Sequence, residues 1–167
     1  MERDSLVPEE ALSILKLFSK EKIPFLVVGG TAMVLHGIPR ATLDIDILIP
    51  AQSEIIINLF TATRRVGFRS NETQILRLAS KPNLLIGQWI TFEDSKGREF
   101  LDIGLEEIKV FKKLLSHALK RRGEGITYYV VSLKDMERMK KVSGRPIDLA
   151  DIALIQERRK INGKKKK

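Results

Sequence analysis

The stretch that decides the fold is residues 26–50, LVVGGTAMVLHGIPRATLDIDILIP. It joins an apolar strand, a Gly-Gly-Thr turn and a short helix to a second apolar strand that contains Asp44 and Asp46. Because side chains alternate along a strand, we expect both carboxylates on one face, and Leu43 with the other apolar residues on the core face. Like charges so close destabilise a fold unless a cation lies between them, and a hard divalent cation such as Mg2+ meets that need.

A third carboxylate has the same setting later in the chain. Asp102 lies within EFLDIGL, residues 99–105, between apolar residues of a predicted strand. Three carboxylates on neighbouring strands could hold two metal ions, which would activate an attacking oxygen and neutralise the charge of a phosphate chain. The alternative is that Asp102 faces solvent on an edge strand, and that the Asp-Ile-Asp pair belongs to a half-exposed strand face.

The Gly-Gly-Thr turn supplies the other half of such a site. Gly29 and Gly30 let the backbone approach a ligand closely, and the start of the following helix offers unpaired N–H groups to phosphate. Thr31 adds a hydroxyl donor, and Arg40, in the loop before the acidic strand, is positioned to reach phosphate oxygens with its forked donors. A Gly-Gly pair alone is also common in ordinary turns, so the motif is informative only together with the carboxylates.

The rest of the chain alternates helical and strand patterns, without repeats. The pattern predicts helices over residues 8–22, 31–36, 53–65, 108–120, 132–141 and 146–159, and strands over residues 25–28, 43–49, 88–93, 98–103 and 126–131. Ser132 and Asp135 have the spacing of a capping box, and Trp89 is expected in the core. Residues 70–85 give no clear pattern.

Composition and charge limit the possible classes of protein. With 167 residues, of which 43% are hydrophobic, the chain suits a single domain over residues 1–160. The absence of cysteine excludes disulfides, thiolate metal sites and a catalytic thiol. The net charge is +9, and residues 157–167 supply +6 of it, with seven Lys and Arg against one Glu. Residues 161–167 are therefore expected to form a basic, disordered tail. Without a membrane span or a secretory signal, we expect a cytoplasmic protein.

The motifs resemble those of a known superfamily. The order Gly-Gly-Thr, then HG-x-x-R-x-T, then Asp-Ile-Asp and a later Asp in apolar sequence resembles the polymerase-beta-like nucleotidyltransferases. The segment MKKVSGRPIDLADI, residues 139–152, resembles the C-terminal motif of the abortive-infection-type branch, in which a Lys precedes R-x-x-D-x-x-D. The resemblance implies an α/β (α+β) nucleotidyltransferase fold, with a small mixed sheet flanked by helices and a helical C-terminal segment.

The resemblance also implies an activity and a set of site residues. The reaction would move a nucleoside monophosphate from an NTP to an acceptor, with Mg2+ or Mn2+ as cofactor and pyrophosphate leaving. Three residues would bind metal and act in catalysis: Asp44, Asp46 and Asp102. Seven would bind the nucleotide: Gly29, Gly30, Thr31, Arg40, Lys140, Arg145 and Asp148. Thr31 departs from the Ser of many members but keeps the hydroxyl. The acceptor could be RNA or tRNA, a protein or a small molecule, and a toxin-like member would have a cognate antitoxin or neighbouring protein.

Two other classes of function stay open at this point. The chain could be a non-catalytic nucleotide-binding or partner-binding protein of the same fold, or an RNA-binding module that acts through its basic tail. Structural roles are also possible for the C-terminal motif, because Arg145 and Asp148 could pair with each other. Of Lys140 and Lys141, only one can face a cleft.

Overall fold

The computed structural model describes residues 9–166. Within this range the chain forms seven α-helices and six β-strands. In chain order these are α1 (Glu9–Lys20), β1 (Leu26–Val28), α2 (Gly29–Leu35), β2 (Ile45–Pro50), α3 (Ser53–Arg65), α4 (Glu72–Leu78), β3 (Trp89–Glu93), β4 (Glu99–Glu106), α5 (Ile108–His117), β5 (Leu119–Gly123), β6 (Ile126–Val130), α6 (Leu133–Ser143) and α7 (Pro146–Lys164). The predicted start of the first helix at Pro8 lies outside the described residues.

The strands form one mixed sheet in the order β3-β4-β2-β1-β6-β5. Neighbours β3 and β4, β1 and β2, and β5 and β6 are antiparallel, whereas β2 and β4, and β1 and β6, are parallel. The predicted small mixed sheet with flanking helices and a helical C-terminal segment is therefore confirmed. The two parallel pairs bring strands that are distant in sequence to the centre of the sheet.

Apolar side chains at helical spacing attach the helices to the sheet. Helix α1 buries Ala11, Ile14, Leu15 and Phe18, which lie on one side of the helix and pack towards β6 and α3. Full burial of one large apolar side chain stabilises a fold by roughly 1.5–3 kcal/mol. Among the described residues, no helix combines the length and the apolar character needed to cross a bilayer.

The acidic strand begins later than the alternation predicts. Strand β2 starts at Ile45, so Asp44 lies on a bend before it, and Leu43 is 94% exposed instead of buried. The cause is local, because the Thr42 hydroxyl donates a hydrogen bond to the backbone carbonyl of Asp44 (2.9 Å). A side-chain bond of this kind competes with strand pairing for the backbone. The alternation is correct from Ile45 onward, where Ile45 and Ile47 are buried.

Strand β5 was not predicted, and the helix expected over residues 108–120 ends at His117. The sequence of β5, LKRRG, contains three cations and gives little strand signal. Its partner β6 imposes the strand through a two-residue turn of Glu124 and Gly125, both at positive φ (50° and 80°). Because β5 is the edge of the sheet, its cations also protect that edge from pairing with other chains.

Three further segments differ from the sequence prediction in detail. The unassigned region contains α4 and a 3-10 turn over Pro82–Leu85. Trp89 is 50% exposed, because it lies on the other edge strand, over Gly104. The last helix continues to Lys164, past residue 159, although Asn162 and Gly163 are poor helix formers; the positive charge of its last turn suits a helix C-terminus. Ser132 caps α6 at the predicted position, with the Asp135 N–H donating to the Ser132 hydroxyl oxygen (3.0 Å) and the Ser132 hydroxyl donating to Oδ2 of Asp135 (2.9 Å).

Candidate active site

The pairing of β2 with β4 places two of the three predicted carboxylates side by side. Asp46 and Asp102 are partners in the parallel register, so their side chains project from the same face of the sheet. Asp44 lies on the bend just before this pair. Strand β4 is flanked by β3 and β2, so the alternative of an edge strand for Asp102 is wrong. The sheet thus gathers these acids at one place.

Asp46 is the carboxylate that responds most to this crowding. Its pKa is raised to about 6, first by burial and then by the negative charges of Asp102 and Asp44. A hydrogen bond from the Gly30 N–H and the charge of Lys140 act in the opposite direction but do not cancel the rise. In a folded chain without a cation, this group therefore holds its proton to a higher pH than an ordinary aspartate does.

The raised pKa predicts that Asp46→Asn stabilises the metal-free protein. Because the folded pKa exceeds the unfolded one, the wild type loses stability as pH rises from about 4 to about 6 and does not recover above that. We expect the free energy of unfolding of the variant to exceed that of the wild type by up to about 3 kcal/mol at neutral pH. Near pH 4 the two proteins should have the same free energy of unfolding. Urea unfolding in EDTA at both pH values measures this. The exposed-acid control Glu157→Gln should not change the pH dependence, and an unchanged profile in Asp46→Asn would contradict the burial of its charge.

The glycine turn and the acidic strand are in direct contact. Gly29 has a φ of +62°, and a Cβ there would lie 2.1 Å from Oδ2 of Asp46. Only glycine therefore fits, both for its backbone conformation and for the approach of the carboxylate. At Gly30 a Cβ would lie 2.5 Å from Nη1 of Arg40 and 2.8 Å from Oγ1 of Thr42. This contact explains why the two motifs occur together in the sequence.

Two threonines hold the bend that carries Asp44. The buried hydroxyl of Thr31 donates to the backbone carbonyl of Asp44 (3.4 Å), and Thr42 donates to the same oxygen. Thr31 thus positions the acidic segment in this structure, and its role as a triphosphate donor stays a prediction. A third hydroxyl, that of Thr91 on β3, donates to Oδ1 of Asp102 (2.6 Å). Sequence reasoning included Thr42 only as the last position of the HG-x-x-R-x-T motif, without a role, and missed Thr91, whose partner depends on the pairing of β3 with β4.

The C-terminal motif forms a buried ionic network. Nζ of Lys140 lies 2.7 Å from Oδ2 of Asp151 and 3.3 Å from Oδ1 of Asp148, and Lys140 is only 8% exposed. Nε of Arg40 donates to the other oxygen of Asp151 (2.9 Å). Asp151 was absent from the predicted site, although its spacing from Asp148 places both on one side of α7. Lys140 faces inward, whereas Lys141 pairs with Glu137 at the surface.

Arg145 is the N-cap residue of α7 and pairs with Asp148 in the first turn of the helix. Its N–H (3.1 Å) and its Nε (2.9 Å) both donate to Oδ2 of Asp148. The Arg145 side chain, in the first place, and Lys140 hold the pKa of Asp148 below its usual range despite burial. Asp148 is the main cause of the raised pKa of Arg145, to which the charge of Asp46 also contributes, and the charge of Lys140 offsets part of the rise in the pKa of Asp46. The network therefore faces the carboxylates of β2.

The structure thus brings most of the predicted site residues to one place. Their roles towards a nucleotide stay predictions, and so do those towards a metal. The described residues contain no ready-made group of three acidic or histidine side chains that would hold a metal ion. Instead, Asp46 accepts from the Gly30 N–H and Asp102 from Thr91.

Comparison with known proteins supports the fold. No protein-family model and no curated protein matches the chain. Among solved structures, the chain is similar to the lincosamide antibiotic adenylyltransferase LnuA in its lincomycin-bound form, with a TM-score of 0.54, 15% identity, and coverage of 90% of this chain and 97% of that one. It is also similar to an antigenic nucleotidyltransferase-like protein from Paracoccidioides brasiliensis, with a TM-score of 0.50, 14% identity, and coverage of 92% and 74%. At these identities the likeness shows a nucleotidyltransferase fold, and the abortive-infection branch stays a prediction.

Proposed function

We propose that the chain is a metal-dependent nucleotidyltransferase, which transfers a nucleoside monophosphate from an NTP to an acceptor. The observation that supports this most strongly is the pairing of Asp46 with Asp102 in the parallel register, against Gly29, where burial and crowding raise the pKa of Asp46. An arrangement that costs stability in the folded chain is typical of functional sites. The nucleotidyltransferase fold of the solved neighbours agrees with this function.

The donor set fits a hard divalent cation. Carboxylate oxygens are the ligands that Mg2+ and Mn2+ prefer, and a cation would relieve the repulsion among the three acids. Asp44, Asp46 and Asp102 would hold it, after Asp46 and Asp102 exchange their present hydrogen bonds with Gly30 and Thr91. When bound, the metal would neutralise charge on the triphosphate and on the attacking oxygen.

The remaining residues have complementary roles in this proposal. Gly29 and Gly30 would let the triphosphate approach the backbone once the side chains of Asp46 and Arg40, which now lie against them, turn towards their ligands, and Thr31 keeps the acidic bend in place. Asp102 accepts the proton of the attacking hydroxyl as the bond to the α-phosphorus forms and pyrophosphate leaves. Arg40 and Lys140 offset the negative charge of the triphosphate, and Asp151 orients both cations.

The acceptor is the least constrained part of the proposal. The name of LnuA describes a neighbour that adenylylates a lincosamide antibiotic, which makes a small hydroxylated molecule one candidate acceptor. RNA or tRNA and a protein are the others, and a protein toxin of the abortive-infection branch would also have an antitoxin. All of these share an attacking hydroxyl or phosphate oxygen, so one assay can compare them.

Label transfer from NTPs tests this function. We expect α-labelled NTP to pass label to one acceptor among tRNA, total RNA, protein and small hydroxylated molecules, with Mg2+ or Mn2+ present and not in EDTA. The metals should also raise the melting temperature, because a ligand that binds only the folded state stabilises it. Asp44→Asn combined with Asp46→Asn should lose both effects.

A charge-matched control separates a defined site from general electrostatics. Glu99→Gln combined with Glu157→Gln removes the same charge from exposed positions and should respond to metal as the wild type does. An equal metal response in the Asp44 and Asp46 double variant would refute the metal site. NTP binding without any label transfer would favour the non-catalytic protein of the same fold.

A further inference from the structure

A cavity of about 460 Å³ lies away from the carboxylates. Its polar lining consists of His36, His117, Arg121, Ser132, Arg158, Asn162 and Lys165. It lies at the far end of two helices that begin beside the carboxylates, because α2 runs from Gly29 to the cavity and α7 passes Asp151 before it reaches Arg158. Seven residues of helix span about 10 Å, so the two places are separate.

The cavity concentrates positive charge. Arg121, Arg158 and Lys165 are permanent cations, and among the described residues that line the cavity none is acidic. The carboxylate of Asp135 contacts two residues of the lining, the Ser132 hydroxyl (2.9 Å) and His117 (3.0 Å). Arg138 also pairs with it. Asp135 therefore pairs on the His117 side, and no carboxylate of residues 9–166 forms an ion pair with Arg121 or Arg158.

Both guanidinium groups have a buried donor without a partner. Nε of Arg121 and Nε of Arg158 are inaccessible to solvent and make no hydrogen bond to the described residues. An unsatisfied buried donor of this kind costs about 1–3 kcal/mol, more for charged groups, and is rare in native proteins. Two of them at one cavity indicate that these guanidinium groups are incompletely paired with the described residues, and an acceptor from outside the chain would bind their terminal nitrogens, because the Nε atoms themselves are closed to solvent.

The donors are also held in place. Nη2 of Arg121 donates to the carbonyl of Leu35 (2.6 Å), and Nε2 of His36 bonds the carbonyl of Val131 (2.7 Å). Arg158 lies over Gly37, where a Cβ would be 2.8 Å from its Nη2. Burial is the main cause of the lowered pKa of His36, and its bond to the Val131 carbonyl acts in the opposite direction. The positive charges of Arg121 and Arg158 lower the pKa further. These contacts hold the side chains of Arg121, His36 and Arg158 in place beside α2 and β5.

We propose that this cavity binds the phosphate group of a ligand of about nucleotide size. Its volume lies within the range of about 300–1,000 Å³ that is usual for small-molecule sites. Guanidinium groups match the geometry of phosphate oxygens, and Leu119 and Leu133 provide apolar surface beside them. The phosphate can belong to a free metabolite or to the backbone of RNA, which present the same oxygens. The site is independent of the proposed transfer reaction and of its metal.

The two histidines make the cavity directly observable. His36 and His117 are the only histidines in the chain, and both line it. Titration of inorganic phosphate into the metal-free protein, at constant pH and ionic strength, should shift the NMR signals of both rings along one saturable curve. Chloride at the same ionic strength should not.

Matched variants assign the binding to the arginines. Arg158→Gln removes the cation without breaking a hydrogen bond of its Nε to the described residues. The change should weaken phosphate binding by roughly tenfold or more. Lys160→Gln removes the same charge from an exposed position of the same helix and should stay within about twofold of the wild type. Arg121→Gln and its strand neighbour Arg122→Gln repeat the comparison on β5, with melting temperatures confirming that each variant is folded.

The source of the phosphate follows from two further ligands. Saturable shifts with AMP indicate a free phosphorylated molecule, whereas shifts with a short RNA oligonucleotide and not with AMP indicate a polynucleotide backbone. The absence of saturable histidine shifts with phosphate, AMP and RNA would overturn the proposal. An equal loss of affinity in Lys160→Gln and Arg158→Gln would also overturn it, since the attraction would then be diffuse. Loss of label transfer alone would leave it unaffected.

Discussion

Asp102→Asn should lower the single-turnover rate of nucleotide transfer by on the order of a hundredfold or more, while NTP affinity stays near the wild-type value. Asparagine keeps the shape of the side chain and still accepts a hydrogen bond from Thr91, but it cannot take a proton from the attacking group. The change therefore acts on the transition state and spares ground-state binding. Rapid-quench labelling of the acceptor, with NTP affinity from calorimetry, measures both quantities.

Two controls sharpen this prediction. Glu99→Gln changes an exposed acid on the same strand and should retain the wild-type rate. Deletion of residues 164–167 removes four lysines, so it should lower affinity for an RNA acceptor modestly and flatten the salt dependence, with chemistry intact. An inactive tail deletion together with an active Asp102→Asn would refute the enzyme and favour the RNA-binding module.

Lys140→Met should lower the free energy of unfolding by about 3 kcal/mol at pH 7. The ammonium group is the shared partner of Asp148 and Asp151, and its loss leaves two buried carboxylates with one arginine each. The loss of one partner from a buried ion pair costs about 3–5 kcal/mol, and the arginines keep this case at the lower end. Urea denaturation gives the value.

The pH dependence and a control identify the cause. Because the folded pKa of Asp148 lies below the unfolded one, its stabilisation is present at neutral pH and is lost as pH falls below about 4. The difference between wild type and Lys140→Met should therefore narrow in acid. Lys134→Met, at an exposed position of α6, should change stability by less than about 0.5 kcal/mol. A similar loss in Lys134→Met would mean that helix α6 tolerates methionine poorly, whatever its ion pairs.

Sequence reasoning was reliable where the signal is local. The bounds of α3, residues 53–65, were predicted to the residue, because its apolar period and its flanking residues agree. The break after β1 was recognised from Gly29 and Gly30, but they begin helix α2 in the structure instead of forming a separate turn, and it is Gly29 whose positive φ and contact with Asp46 require glycine. Strand β5 was not predicted for the opposite reason. Three of its five residues are charged, and only their pairing with β6 makes them a strand.

For the candidate site, the sequence indicates the members but not their contacts. Asp46 and Asp102 each lie in apolar strand sequence, yet their pairing depends on the parallel register of two strands that are distant in the chain. The choice between Lys140 and Lys141 required the packing of α6 against α7, which also brings in Asp151. Periodicity within one element cannot supply a relation between two elements.

The exposed indole of Trp89 has a practical consequence. It lies on the same face of β3 as Thr91, which pairs with Asp102 on β4, and it is the only tryptophan of the chain. Tryptophan fluorescence therefore originates from one position near the acidic face, and a molecule that settles there would displace water around the indole and shift its emission. Stopped-flow recording of that emission would give association and dissociation rates of an unlabelled ligand.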